Sequence, residues 1–224
     1  EPLPDWLAES PPPAPPMPKR LTPSAAVGFA EAEPAFPPVT ALDARLDPAA
    51  LTALDRGRII HRLLQALPDQ PAEHRATVAA RYLEVVGREW PETARQGLLE
   101  LILPILDDDS FSALFGPESR AEVPIAGTIE TRSGTASVSG RIDRLVVLPD
   151  RVILVDYKTN RPAPRQLSEV PEAHLAQLAL YRALLQTLYP DRPIETALLW
   201  TEIPLLMAIP SELLDSRMAA ITAG

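Results

Sequence analysis

The chain has 224 residues, 46% of them apolar, and a net charge of −9. That length and composition allow one large domain or two small ones with a real core, and the charge argues against a protein that grips nucleic acid with a broad basic face. Cysteine is absent, which removes disulfides, thiolate zinc sites and cysteine-held iron–sulfur clusters. No apolar run reaches the length of a membrane span and no secretory leader opens the chain, so no membrane contact and a cytoplasmic place are expected. The chain starts at Glu1 rather than Met, as expected of a segment of a longer protein.

Proline dominates the beginning, with 12 of the 27 prolines within residues 1–38. The run Pro11-Pro12-Pro13-Ala14-Pro15-Pro16 forms neither helix nor central strand. It predicts an extended polyproline spacer. Residues 1–44 are therefore read as a Pro-rich tether and residues 45–224 as the folded domain. Asp47-Pro48 opens a helix that runs to about Leu67, with Leu51, Leu54, Ile60, Leu63, Leu64 and Leu67 as its apolar stripe. Two further helices are expected over 72–88 and 91–106. Asp107-Asp108-Asp109 follows as an acidic turn, whose side chains diverge too much to make a good cation site.

From Arg120 the period changes to that of strands. Residues 120–126 and 136–148 read as strands, with Gly127 to Thr135 as the turn region. Val152 to Val155 is wholly apolar, as in a strand buried on both faces. A helix from Pro171 to about Leu188 follows, with Leu175, Leu178, Leu184, Leu185 and Leu188 inward, then strands over 194–201 and 204–209 and a closing helix from Ser211. The fold class expected is α/β, a mixed central sheet flanked by helices.

The chemistry concentrates in Gly140-Arg141-Ile142-Asp143 and Asp156-Tyr157-Lys158-Thr159, with 12 residues between the two aspartates. Two carboxylates brought together repel unless a cation or proton intervenes. Carboxylate oxygens suit a hard divalent cation, which activates water for phosphodiester hydrolysis. Asp156 and Lys158 share a strand face, so both can address one phosphate, and the Tyr157 carbonyl is an acceptable further ligand. The stretch from Gly140 to Arg165 is locally basic at +3, six Lys/Arg against three Asp. The plainer reading pairs Asp143 with Arg141 or Arg144 and makes Asp156 a loop cap. Gly57 and His61 lie one turn apart on the first helix, and His61 reads equally as a half-buried core histidine. Gln177 and Tyr181 share a helix face where they could orient Lys158 or hold phosphate, or simply be surface residues. Glu122 is a further candidate oxygen or an ordinary edge-strand acid. His74 and His174 read as surface residues.

Taken in order, Gly57/His61, Gly140–Asp143, Asp156–Thr159 and Gln177/Tyr181 resemble the motifs of RecB-like nuclease domains of the PD-(D/E)xK, restriction-endonuclease-like superfamily. The resemblance covers roughly residues 45–210 and is closest to the C-terminal nuclease domains of AddA-type subunits of AddAB helicase–nucleases. It implies a DNA exonuclease acting on double-strand breaks for recombinational repair. It implies Mg²⁺ or Mn²⁺ held by His61, Asp143, Asp156 and the Tyr157 carbonyl. Lys158 corresponds to the catalytic lysine, Gln177 and Tyr181 to the helix motif that follows it, and Glu122 to an acid before the first aspartate. The implied partners are a DNA strand, the 3′-terminated one in AddA-like enzymes, delivered by a helicase portion, and an AddB-type subunit. No iron–sulfur cluster and no ATP site are expected, since this stretch has neither cysteine nor a Walker motif. The rival readings are a catalytically silent module that docks the partner subunit, and a hydrolase of another phosphodiester such as RNA.

Overall fold

A computed structural model describes residues 19–21 and 48–223, with side chains from residue 53 onward. After a short strand, β1 (Lys19–Leu21), the described residues give three helices: α1 (Pro48–Ala66), α2 (Ala72–Val86) and α3 (Glu92–Asp107). Asp47, the expected cap of α1, lies outside the described residues. The strands that follow are β2 (Ser119–Thr131), β3 (Gly134–Val147), β4 (Val152–Lys158), β5 (Ile194–Trp200) and β6 (Leu205–Ile209). Helix α4 (Glu172–Leu188) connects β4 to β5, and α5 (Ser211–Ala223) closes the described chain. Among the described residues no helix is long and apolar enough to cross a membrane.

The six described strands form one mixed sheet. β2 and β3 make an antiparallel hairpin, β3 and β4 are antiparallel, β4 and β5 parallel, and β5 and β6 antiparallel. The apolar run of β4 alternates between the two faces, as strand geometry requires. Val152 and Leu154 enter the core formed with α4 and α5, whereas Val155 and Tyr157 enter the core formed with α1, α2 and α3. The sheet is therefore the middle of three layers, and β4 and β5 are buried on both sides. The expected mixed α/β architecture is the one observed.

Three local expectations need correction. Lys19–Leu21, inside the stretch read as tether, pairs in parallel with Ala136–Val138 of β3; the rest of residues 1–44 lies outside the described residues. The β2–β3 hairpin is longer than expected, because strand pairing continues through Gly127 to Thr131 opposite Gly134. A glycine reads as a turn signal, but here the paired strand carries on through it. Leu188, expected to face inward, is 64% exposed at the end of α4. In the acidic turn, Asp108 caps the following 3₁₀ turn by accepting from Ser110 N, while Asp107 pairs with Arg75.

Candidate active site

The site forms where the sheet ladder is interrupted. One edge of β3 is covered by β1 at residues 136–138 and by β4 at residues 144–147. Among the described residues no strand covers 139–143 on that edge, and unpaired backbone groups need other partners. Side chains supply them. Asp143 Oδ2 accepts a hydrogen bond from Tyr157 N at 2.7 Å, and Tyr181 OH accepts one from Arg141 N at 3.2 Å. The opposite edge of the same rung is distorted too: Glu122 of β2 has φ +55°, a left-handed conformation unfavourable for a residue with a Cβ. This distortion lies at the register position facing Asp143, where the β2–β3 pairing skips a rung. Backbone strain of this kind clusters at functional sites.

Helix α1 delivers His61 to this gap. The helix is anchored by Arg144, 3% exposed, which donates to Leu64 O near the α1 C-terminus, to Tyr157 OH and to Ser119 Oγ. Carbonyls in the last helical turn lack intrahelical donors, so this guanidinium fixes α1 against the sheet. Close approach also needs Gly57: a Cβ there would lie 3.2 Å from Thr159 Oγ1, just past the end of β4. The result is a His61 Nδ1–Asp143 Oδ1 contact of 3.2 Å, with the His61 ring edge-on to Tyr157 at 5.6 Å.

His61, Glu122 and Asp143 offer donor atoms all within 4.8 Å of one another. Their side chains are 16%, 14% and 13% exposed, partly covered but reachable. Glu122 also faces Arg141 at 3.2 Å. Burial pushes the Asp143 carboxyl up, but His61, the Tyr157 amide and Lys158 together hold it below the usual carboxylate range. Amide and carbonyl of one strand residue point to the same edge, so the Tyr157 carbonyl opens toward Asp143 as its amide does. An imidazole, two carboxylates and a carbonyl are a donor set that fits Mn²⁺ or Mg²⁺.

On the other face of β4 the arrangement is closed. Asp156 Oδ2 lies 2.7 Å from Lys158 Nζ, and both side chains are 3% exposed. Asp156 stands outside the three-residue donor group and beside the lysine. Lys158 Nζ also donates to Gln177 Oε1 on α4 at 3.0 Å. Tyr181, one turn further, is buried rather than a surface residue, and burial raises its pKa. It reaches the sheet because position 140 is glycine: a Cβ there would fall 2.7 Å from Tyr181 Cε1. The Gly140 and Tyr181 motifs are thus two halves of one contact.

His174 departs from its reading as a surface residue. It packs against Trp200 with ring centroids 6.0 Å apart, and its Nε2 is buried with no hydrogen-bond partner among the described residues. Burial, aided by the Lys158 charge, pushes its pKa down to about 3. The signal was available: His174 precedes Gln177 by three residues, a spacing that shares a helix face. Another cluster missed in the sequence joins Arg56 and Arg161 through Glu202, with Arg161 Nε 2.7 Å from Glu202 Oε2. Its members are scattered over three segments, so no spacing could have shown it. His74 is exposed on α2, as expected.

Comparison with known proteins bears on the same residues. No curated protein matches the chain. Among solved structures, the one titled "Crystal structure of SSO0001" is similar at 16% identity over 77% of this chain and 85% of that one; its TM-score of 0.35 is too low to argue from. The family model described as the PD-(D/E)XK nuclease superfamily matches residues 20–206, from β1 to β6 and through both aspartates and the lysine, and the chain belongs to that superfamily.

Proposed function

We propose that this chain is a divalent-metal-dependent deoxyribonuclease domain of the AddA type, hydrolysing a DNA strand at processed double-strand breaks for recombinational repair. The observation that carries the reading is the pairing of an open donor group, His61, Glu122 and Asp143, with a buried lysine held by Asp156 and Gln177. His61, Glu122, Asp143 and the Tyr157 carbonyl would hold the ion, with Asp156 at the inner side of the site. A divalent cation bound there supplies a more acidic water and positive charge against the phosphate. The protein's own part is positional and electrostatic. Lys158 directs its ammonium group at charge developing on the phosphodiester. Gln177 fixes that ammonium, and Tyr181 ties α4 to the rung that carries Asp143. The order of the four motifs supports the AddA assignment. A helicase portion in the same protein and an AddB-type subunit would deliver the strand, in the cytoplasm.

The test is cleavage of an end-labelled single-stranded oligodeoxynucleotide with Mg²⁺ or Mn²⁺. EDTA should stop it and added metal restore it. Lys158→Gln, which keeps a donor toward Asp156, should lower the rate by on the order of a hundredfold or more. Cleavage indifferent to chelation, or a Lys158→Gln protein as fast as wild type, defeats the assignment. Complete inactivity of wild-type protein together with no metal binding that depends on Asp143 would favour the silent docking module.

A further inference from the structure

A cavity of about 350 Å³ adjoins the donor group and has no role in the reading above. It lies between α1, α2 and the distorted β2–β3 rung. Its lining includes Arg58, Arg62, Gln65, Tyr82, Glu122 and Arg141. Three guanidinium groups against one carboxylate is an unusual concentration in a chain of net charge −9. Residues 58, 62 and 65 follow the spacing of one helix face, and α1 rises about 6 Å over the four residues from Arg58 to Arg62. That is the order of the step between consecutive phosphates in a nucleic-acid strand. Arg58 contacts Asp55 and Arg62 contacts Gln65, each through one nitrogen of a group that carries five donors. Their bases are therefore anchored while donors remain for an anion.

The cavity also has an aromatic wall. Tyr82 is half-buried on α2, and burial raises its pKa against the opposing charge of Arg62. The ring thus sits beside a cation, an arrangement that suits a stacked base next to its phosphate. Glu122 belongs both to this lining and to the donor group with His61 and Asp143. A phosphodiester held at the donor group would therefore have its neighbouring nucleotide in the cavity.

We propose that this groove binds the nucleotide adjoining the scissile phosphate of a single nucleic-acid strand, with Arg58 and Arg62 on phosphates and Tyr82 against the base. The proposal rests on the nuclease reading for the position of the scissile phosphate. A paired duplex does not fit, because its bases face each other and cannot enter a recess between two helices without being unstacked.

Fluorescence anisotropy with a labelled single-stranded oligodeoxynucleotide of ~12 residues, in EDTA so that nothing is cut, tests it on the whole chain. Wild type should bind, and more tightly than to the duplex of the same sequence. Arg58→Gln with Arg62→Gln should weaken binding at low salt by at least about tenfold and reduce the salt slope by about 1.4, that is ~0.7 for each lost contact. Tyr82→Ala should weaken binding about tenfold with the slope unchanged, and Tyr82→Phe should restore it. Circular dichroism on the same samples checks that the variants fold. No binding by wild type at low salt, equal affinity for duplex, or a double variant with wild-type affinity and slope would each overturn the proposal. Failure of metal-dependent cleavage would remove the nuclease reading and leave these binding results standing, so the two failures are separable.

Discussion

Asp143 and Asp156 stand on neighbouring strands with opposite surroundings. Asp143 sits in the strand gap with His61 and Glu122, at 13–16% exposure, on the side that opens to solvent. Asp156 is 3% exposed and neutralised at 2.7 Å by Lys158. The open group sets two carboxylates beside one imidazole, with Arg141 facing Glu122 at 3.2 Å. The closed group is a buried pair whose charges already balance. Both acids belong to one motif set, yet one is partly open to solvent and the other is closed against a lysine.

That difference predicts contrasting mutants. Asp156→Ala leaves Lys158 buried without its carboxylate, and losing one partner of a buried pair costs about 3 to 5 kcal/mol. The sequence alone suggests a clean loss of activity in a folded domain. The burial changes that expectation: urea unfolding should show a large drop in stability, and activity should disappear with the fold. A midpoint like that of wild type would mean that the pair is not closed in solution.

Asp143→Asn should behave in the opposite way. The amide oxygen can still accept from Tyr157 N, so stability should stay within about 1 kcal/mol of wild type. Metal affinity measured by calorimetry should collapse, and cleavage should fall by at least about a thousandfold. If Asp143→Asn unfolds the domain as Asp156→Ala does, the contrast between an open and a closed acid is broken.

The contrast was only half legible in the sequence. Position along the strand was clear, because Val152 to Val155 is an apolar run ended by Asp-Tyr-Lys, and period-two geometry puts Asp156 and Lys158 on one face. Which acid would be closed off depends on α4. Its Gln177 and Tyr181 come down on the Asp156 face through the space left at Gly140, a contact between residues 41 positions apart. Glu122 shows the same limit. Its motif position was readable, but its φ of +55° and its place opposite Asp143 follow from strand pairing. Lys19–Leu21 is a third case, since a Pro-rich context masked a strand that exists only by pairing with β3.

Gly140→Ala sharpens the comparison from the side of α4. The added methyl would overlap the Tyr181 ring, which is buried and has little room to retreat. Overpacking of this kind costs about 1 to 3 kcal/mol. Tyr181→Phe removes the hydroxyl beside Gly140, so the double variant should lose less than the sum of the single changes. Strict additivity in thermal melts would show that the two motifs do not meet.

The smallest effect belongs to His174 and reads the closed side by pH. Its folded pKa is about 3 against an ordinary 6.5, through burial first and the Lys158 charge second. A base with a lowered folded pKa stays neutral while the unfolded chain takes up a proton. Stability is thus fully present above pH 6.5 and falls as pH drops toward 3. Asp143 works lower: its depressed carboxyl contributes fully above its ordinary value of 3.8 and loses that contribution only below it. Glu169, its carboxyl lowered by hydrogen bonds from Arg165 N and Gln166, loses its contribution only below its ordinary 4.5, so His174 is read between that value and 6.5. Denaturant unfolding across this window should show a falling limb in wild type that His174→Phe flattens, with little change at neutral pH. Lys158→Gln, with the ammonium charge gone, should make the same limb shallower, because His174 then protonates more readily in the folded state. A limb of equal depth in all three proteins would mean that His174 senses neither its burial nor the lysine charge that Asp156 is argued to hold in place.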